Sequence, residues 1–325
     1  MKSMAEMTYR QLGNSGLTVS TVGLGCNNIG RRLDVDATAA VVDAALDVGI
    51  TFFDAADVYG SSPGACEEIL GEVLRGRREH VILATKFGKP MPGAIFPESL
   101  ARGSRRYIRA AVEGSLRRLQ TDYIDLYQMH EPDPRTPIEE TLEALDELVS
   151  EGKVRYVGSS NFAAWQVVDA DWVARSAGLE RFISAQNEYN LLNRDVEREL
   201  VPACEHLGIG VLPYYPLASG LLTGKYRRDE TPRTGRLSEP TQQARLAAAP
   251  WDVIEALSRF AAERGLSLLD VAIGGLAAQP GVASVIAGAT SPEQVKANAH
   301  ACKWEPTAAD LQELDRITGQ AGERH

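Results

Sequence analysis

Eight short runs rich in β-branched and aromatic residues alternate with amphipathic helical windows from about residue 20 to the end of the chain. They are STVGLG from 20, ITFFD ending at Asp54, VILATK ending at Lys86, YIDLYQMH from 123, VRYVGSSN from 154, FISAQN from 182, GVLPYY from 210 and VASVIAG from 282. A helix follows each, and no Pro/Ser-rich linker or low-complexity tract divides them. Strand–helix alternation over one undivided chain suits a closed (β/α)8 TIM barrel of the α/β class, with residues 1–325 forming a single domain. An open dinucleotide-binding sheet lacks its fingerprint here. GLGCNNIG at 23–30 has the wrong third glycine spacing, and GIG at 208 follows a helix instead of a strand.

The helical windows carry local signals. DATAAVVDAALDVG at 36–49 places Asp36 as a cap and Gly49 as a stop. Cys66, Ile69, Leu70, Val73 and Leu74 share one buried face, ended by Gly76. Thr136 as cap, Pro137 at the first helical position and Glu139 three residues on predict a helix running to near Gly152.

Composition narrows the partners. The 34 Lys and Arg against 44 Asp and Glu give a net charge of -10, so no global positive field draws in nucleic acid or anionic membrane. Cys26, Cys66, Cys204 and Cys302 are scattered with no C-x-x-C pair, the pattern of reduced thiols in a cytoplasmic protein. The start lacks an apolar signal core, and the longest uncharged stretch, 271–289, is broken by Pro280-Gly281, which predicts neither export nor a membrane span. His80, His130, His206, His300 and His325 show no paired ligand spacing, so no metal site is expected.

In such a barrel the active site is built at the C-terminal ends of the strands. Polar residues close the apolar runs there: Asp54, Lys86, His130, Ser160 with Asn161, Gln186 and Tyr214. Taken singly, each has an ordinary structural use as a cap or a loop hydrogen bond. Lys86 stands apart, because a lysine ending a buried strand needs a partner to offset its desolvation, and Asp54 on the adjacent strand is available.

These residues carry a resemblance. DAADVYG at 54–60, ATKFG at 84–88, YQMHEPDP at 127–134 and GSSNF at 158–162 are similar to the aldo-keto reductase family over nearly the whole chain. The resemblance implies a barrel with a short N-terminal β-hairpin and a C-terminal helical tail. It also implies a catalytic tetrad of Asp54, Tyr59, Lys86 and His130. Reducing a carbonyl by hydride transfer leaves charge on oxygen that a proton donor must neutralise. Tyr59 would be that donor, helped by the Lys86 cation, with His130 orienting the carbonyl oxygen.

The family binds a nicotinamide dinucleotide across the barrel mouth. By resemblance, Ser160, Asn161 and Gln186 would hold the carboxamide, and Tyr214 would stack on the ring. Pro216, Leu217, Ser219, Gly220, Leu221 and Lys225, in PLASGLLTGKY, would surround the pyrophosphate. Gly288, Thr290, Gln294 and Asn298 would meet the adenosine end, where Ser291 and Pro292 open a helix. The best-known branch of the family has basic residues where Gln294 stands and near Gly288. Relatives of the potassium-channel β-subunits have Gln there and use an arginine of the preceding long loop, which Arg236 matches loosely. NADPH is therefore expected, with NADH less favoured.

Cys26, Asn27, Val58, Met91 and Phe96 are candidate lining for the substrate pocket, and a small neutral carbonyl compound is the expected substrate. Two alternatives stand beside an NADPH-dependent reductase of aldehydes and ketones. One is a regulatory or sensor subunit that binds NADPH and turns over slowly. The other is a lyase using Lys86 as an imine-forming amine, which would leave Tyr59, Asn161 and Gln186 unexplained.

Overall fold

The structure is a computed structural model, and it describes residues 7–91, 101–228, 230, 235–239 and 242–319. It opens with an antiparallel hairpin, β1 (Tyr9–Gln11) and β2 (Thr18–Ser20). Eight parallel strands follow: β3 (Val22–Gly25), β4 (Phe52–Asp54), β5 (Ile82–Phe87), β6 (Ile124–Met129), β7 (Val154–Ser160), β8 (Phe182–Gln186), β9 (Gly210–Val211) and β10 (Val285–Gly288). Their order is β10-β3-β4-β5-β6-β7-β8-β9. A parallel bridge from Val211 to Val282 joins the two edges, with Val211 N–H donating to Gly281 O at 2.8 Å and Ala283 N–H to Val211 O at 3.0 Å. The expected (β/α)8 barrel is therefore present, with every strand in its expected window or within one residue of it.

Two strands are shorter than the sequence suggests. β9 stops at Val211 because Pro213 has no N–H to give a ladder and Tyr215 adopts φ +53°. β10 begins only at Val285, Val282 serving as the closing bridge.

The helices of the outer layer are α1 (Val35–Asp47), α2 (Ala65–Val73), α3 (Arg105–Leu119), α4 (Ile138–Ser150), α5 (Ala164–Ala177), α6 (Leu200–Leu207), α7 (Gln243–Ala247), α8 (Trp251–Glu263), α9 (Leu268–Ala277), α10 (Pro292–Ala301) and α11 (Ala308–Thr318). Two expected caps are corrected. Asp34, not Asp36, caps α1, its carboxylate accepting from Ala37 N–H at 2.9 Å. Thr136 does not cap α4, because its hydroxyl donates to Asp133 at 2.9 Å and the helix starts one residue later than expected. Ser291 does cap α10, with Pro292 in its first turn.

Strand alternation sorts the side chains into two cores. Phe52, Ala84, Leu126, Leu212 and Ile286 fill the barrel interior, and Leu12, Leu17 and Val19 of the hairpin plug its lower end. Residues one position away, such as Phe53, Leu83, Phe87 and Tyr127, face outward under the helices. Burying each large apolar side chain contributes ~1.5–3 kcal/mol. The interior also needs small residues: a Cβ on Gly158 would stand 2.2 Å from Ser184 Oγ. Above this apolar plug the interior turns polar, and there the strands end.

Candidate active site

Asp54, Lys86, Gln128 and Gln186 form the top layer of the barrel interior, all buried. Lys86 Nζ donates to Asp54 Oδ2 at 2.6 Å, to Ala55 O at 2.9 Å and to Tyr59 Oη at 3.4 Å, which accounts for all three of its hydrogens. Asp54 Oδ1 accepts from Gln186 Nε2 at 2.9 Å and from Gln128 Nε2 at 3.2 Å. The buried pair thus meets the condition under which such pairs persist, full hydrogen bonding of both ions.

Tyr59 sits on the loop after β4, held by its N–H to Ala56 O and by Cys66 N–H to its own carbonyl, each at 3.1 Å. Its ring meets His130 edge-on at 5.9 Å. Burial, and after it the Asp54 charge, pushes the phenol well above its ordinary value, so Tyr59 keeps its proton. Lys86 Nζ stands against the phenol oxygen and 5.0 Å from the ring centroid, its charge shared with Asp54. His130 is pushed down to about 2 by burial, then by Lys86 and Lys89, and is a neutral imidazole. Its buried Nδ1 has no hydrogen-bond partner among the described residues.

A cleft of about 580 Å³ runs from Tyr59 and His130 across the barrel mouth. Ser160, Asn161, Gln186 and Tyr214 line its middle. Asn161, at φ +60°, donates to His130 O at 2.9 Å and to Ser160 Oγ at 3.1 Å, and accepts from Tyr214 Oη at 2.7 Å. Ser219, Gly220 and Lys225 line it further along, where Ala218, Ser219 and Gly220 all have positive φ. At the far end stand Gly288, Thr290, Gln294 and Asn298, with Gln294 Oε1 accepting from Thr290 N–H at 2.8 Å.

Residues 21–318 match the Aldo/keto reductase family. The chain belongs to that family. It is 40% identical over 297 residues to an uncharacterized oxidoreductase, YrpG, of Bacillus subtilis (strain 168), covering 89% of each chain. It is 37% identical over 301 residues to a probable voltage-gated potassium channel subunit beta of Oryza sativa subsp. japonica, covering 90% of each. It is 35% identical over 309 residues to L-glyceraldehyde 3-phosphate reductase of Escherichia coli (strain K12), covering 91% of this chain and 88% of that one. This aldo-keto reductase is accordingly an oxidoreductase enzyme, of a family that acts on small carbonyl substrates with nicotinamide cofactors.

The structure brings the four tetrad candidates together and sets most cofactor candidates in one cleft, Pro216 and Leu217 included. The Leu221 side chain is buried against Leu222, Tyr226 and Leu257 and does not line the cleft, so only its backbone could meet a ligand there. Cys26, Asn27 and Val58 line the mouth, whereas Met91 does not. Phe96 lies outside the described residues, as does the side chain of Arg236, whose backbone opens a short turn, Arg236–Ser238.

Three further residues bear on the cleft and the layer below it. Gln128 ties Asp54 and Gln186 together, the latter at 3.2 Å, and alternation in YIDLYQMH gives its signal, two residues before His130 on the same face. Arg32 of the β3–α1 loop pairs with Glu239, both lining the cleft, so an ion pair spans its opening. Arg245 of α7 donates to Ser219 Oγ. No local pattern marks these contacts, the first of which joins residues 207 positions apart.

No helix among the described residues is long and apolar enough to cross a membrane.

Proposed function

We propose that the protein is an NADPH-dependent reductase of aldehydes and ketones. The observation that carries this reading is the meeting of a protonated phenol, a neutral imidazole and a buried Lys–Asp pair at one end of an elongated polar cleft. A bound reduced nicotinamide supplies the hydride.

The residues present suit that cofactor. Gln186 spends its N–H groups on Asp54 and Gln128, so its carbonyl is free to accept from a carboxamide. Ser160 accepts from Asn161 and keeps its O–H to donate. Together they complement a primary amide. Tyr214, its hydroxyl fixed by Asn161, offers a ring face to the nicotinamide. Positive-φ backbone at Ser219 and Gly220, with Lys225 beside it, suits a pyrophosphate.

The chain's own contribution to the reaction is proton delivery and orientation. Lys86 donates to the Tyr59 oxygen, which turns the phenolic hydrogen toward the cleft. Tyr59 passes that proton to the carbonyl oxygen as negative charge develops there, and the Lys86 cation stabilises the phenolate left behind. His130, being neutral, orients the carbonyl without adding a second charge.

Lys89 at the mouth is paired with Glu131 at 3.0 Å, so its charge is balanced beside Tyr59 and His130, which favours a neutral substrate. Free cysteines, three of the four buried, suit a reducing, cytoplasmic setting.

A titration of protein fluorescence with NADPH and NADH, followed by excess 4-nitrobenzaldehyde, tests the reading. Tight NADPH binding with multiple turnovers supports it, and absence of binding overturns it. Arg236 is the residue we assign to the 2′-phosphate that distinguishes NADPH from NADH, so Arg236→Ala is expected to weaken NADPH more than NADH, and equal losses would refute that assignment. The Arg32–Glu239 pair favours a second reading, slow cofactor exchange by a sensor subunit. Binding with a single rapid turnover and slow steady state would select it.

A further inference from the structure

Directly behind the tetrad, on the outer face of the same strands, lies a second buried cluster of charge that the chemistry above leaves unused. Thr85 precedes Lys86 on β5, so its side chain leaves the strand on the opposite face. There its hydroxyl donates to Glu67 Oε1 of α2 at 2.6 Å. Arg118 of α3 grips Glu67 Oε2 with Nε at 2.8 Å and a terminal nitrogen at 2.7 Å. Glu67 is fully buried and is satisfied as a carboxylate.

Asp57 is buried beside them, 1% exposed; its carboxyl accepts from Val58 N–H, while among the described residues its Oδ1 and the Tyr127 hydroxyl on β6 have no hydrogen-bond partner. The groups that act on Asp57 from the packed elements are Glu67 of α2, Arg118 and Tyr107 of α3, Tyr127 of β6 and, through the strand, Lys86 of β5. The charge count decides between them. Arg118 is committed to Glu67, and Lys86 is committed to Asp54. Among the described residues no cation is left for Asp57, and a buried carboxylate without one costs more than keeping its proton. Burial and the Glu67 charge accordingly hold the Asp57 carboxyl well above the usual carboxylate range.

We propose that Asp57 is held as a neutral acid and acts as a positioning residue for Tyr59, keeping Arg118 free to stay on Glu67. Asp57 begins the loop that carries Tyr59. Its N–H donates to Lys86 O at 3.1 Å and its C=O accepts from Gly64 N–H at 2.7 Å. Arg118 packs under the far end of that loop, where a Cβ on Gly64 would stand 2.4 Å from Arg118 Cδ. An ionised Asp57 would compete with Glu67 for the Arg118 guanidinium. Moving that side chain shifts the Asp57–Gly64 turn and with it the phenol, and small misplacements of a reacting group are costly in rate.

The inference rests on Tyr59 being the proton donor, and its test has one arm that needs no turnover. Infrared difference spectra of the wild type against Asp57→Asn, at neutral pH, should show a protonated-carboxyl C=O band lost in the variant. Absence of that band overturns the proposal, whatever the enzyme reduces. In the kinetic arm, Asp57→Asn is expected to keep most of the wild-type kcat at neutral pH and to extend activity further into the alkaline range. Asp57→Ala should lose about tenfold or more in kcat with NADPH affinity unchanged. Equal losses in both variants, with the wild-type alkaline limb retained in Asp57→Asn, would show a role in packing alone and refute the positioning role.

Discussion

Replacing Lys86 by methionine keeps most of its volume and removes its charge from a site with no access to solvent. Asp54 would keep the Gln186 and Gln128 amide hydrogens but lose the cation it is paired with. Breaking one half of a buried pair costs ~3–5 kcal/mol, because the surviving charge is left uncompensated. Asp54→Asn alone should also destabilise, leaving the ammonium facing an amide. The two changes together remove both charges, so the double variant should be more stable than the sum of the single losses by at least ~1–2 kcal/mol. Urea unfolding of the four cofactor-free proteins measures this cycle. Losses that add within ~0.5 kcal/mol would refute the claim that each ion's burial depends on the other. All three variants should be inactive in carbonyl reduction, so the cycle separates the pair's structural energy from its chemistry.

Tyr59→Phe should abolish carbonyl reduction while leaving NADPH affinity within about twofold, since the ring is retained and only the proton is lost; an active variant would sink the proton-donor role. His130 takes up a proton in the folded chain only near pH 2, whereas unfolded it does so near 6.5, so the unfolded state binds more protons between those values and stability falls as pH drops below 6.5. The slope from this one group is ~1.4 kcal/mol per pH unit, and His130→Gln should flatten it in urea midpoints measured across that range; an unchanged slope would contradict the neutral imidazole. Glu239→Gln should speed NADPH release in stopped-flow fluorescence by loosening the Arg32 contact across the cleft, and an unchanged off-rate would remove that pair from any role in cofactor exchange. Gly71→Ala should lower thermal stability by ~1–3 kcal/mol despite the better helix former, because a Cβ there would stand 2.4 Å from Arg118 O.

What the residues disclose in advance depends on how local their cause is. The barrel was legible because each strand and helix writes its own periodicity, and the windows ending at Asp54, Lys86 and Gln186 end there in the structure or within a residue of it. The tetrad was legible because strand direction puts all strand ends on one face, so four polar residues far apart in sequence share a layer. The shortened β9 was harder: Pro213 was visible, but the left-handed turn at Tyr215 was not. Caps misplaced by a residue or two, Asp36 for Asp34 and Thr136 for a position it does not fill, arise because several polar residues compete for one helix start and only packing selects among them. The bridges Arg32–Glu239 and Arg245–Ser219 depend on where a long loop lies, which no periodicity encodes.

The hydrogen-bond inventory of the site gives a reason for its location that sequence pattern alone does not. Around Asp54 and Lys86 every donor of the ammonium is used and both carboxylate oxygens accept, so the layer below the cleft is closed and rigid. The unspent groups lie one step outward: the Tyr59 hydrogen, the Ser160 hydrogen and the Gln186 carbonyl, all on residues that line the cleft. A buried network satisfied inward and open outward costs least to fold and still presents fixed donors and acceptors to a ligand. The same strand, one residue earlier, repeats the arrangement on its other face with Thr85, Glu67 and Arg118, where among the described residues Asp57 and Tyr127 retain unpaired buried atoms. Alternation along β5 therefore sets two charge clusters back to back. The loop that carries Tyr59 meets both, hydrogen-bonded to the Lys86 ammonium on the inside and packed at Gly64 against Arg118 on the outside.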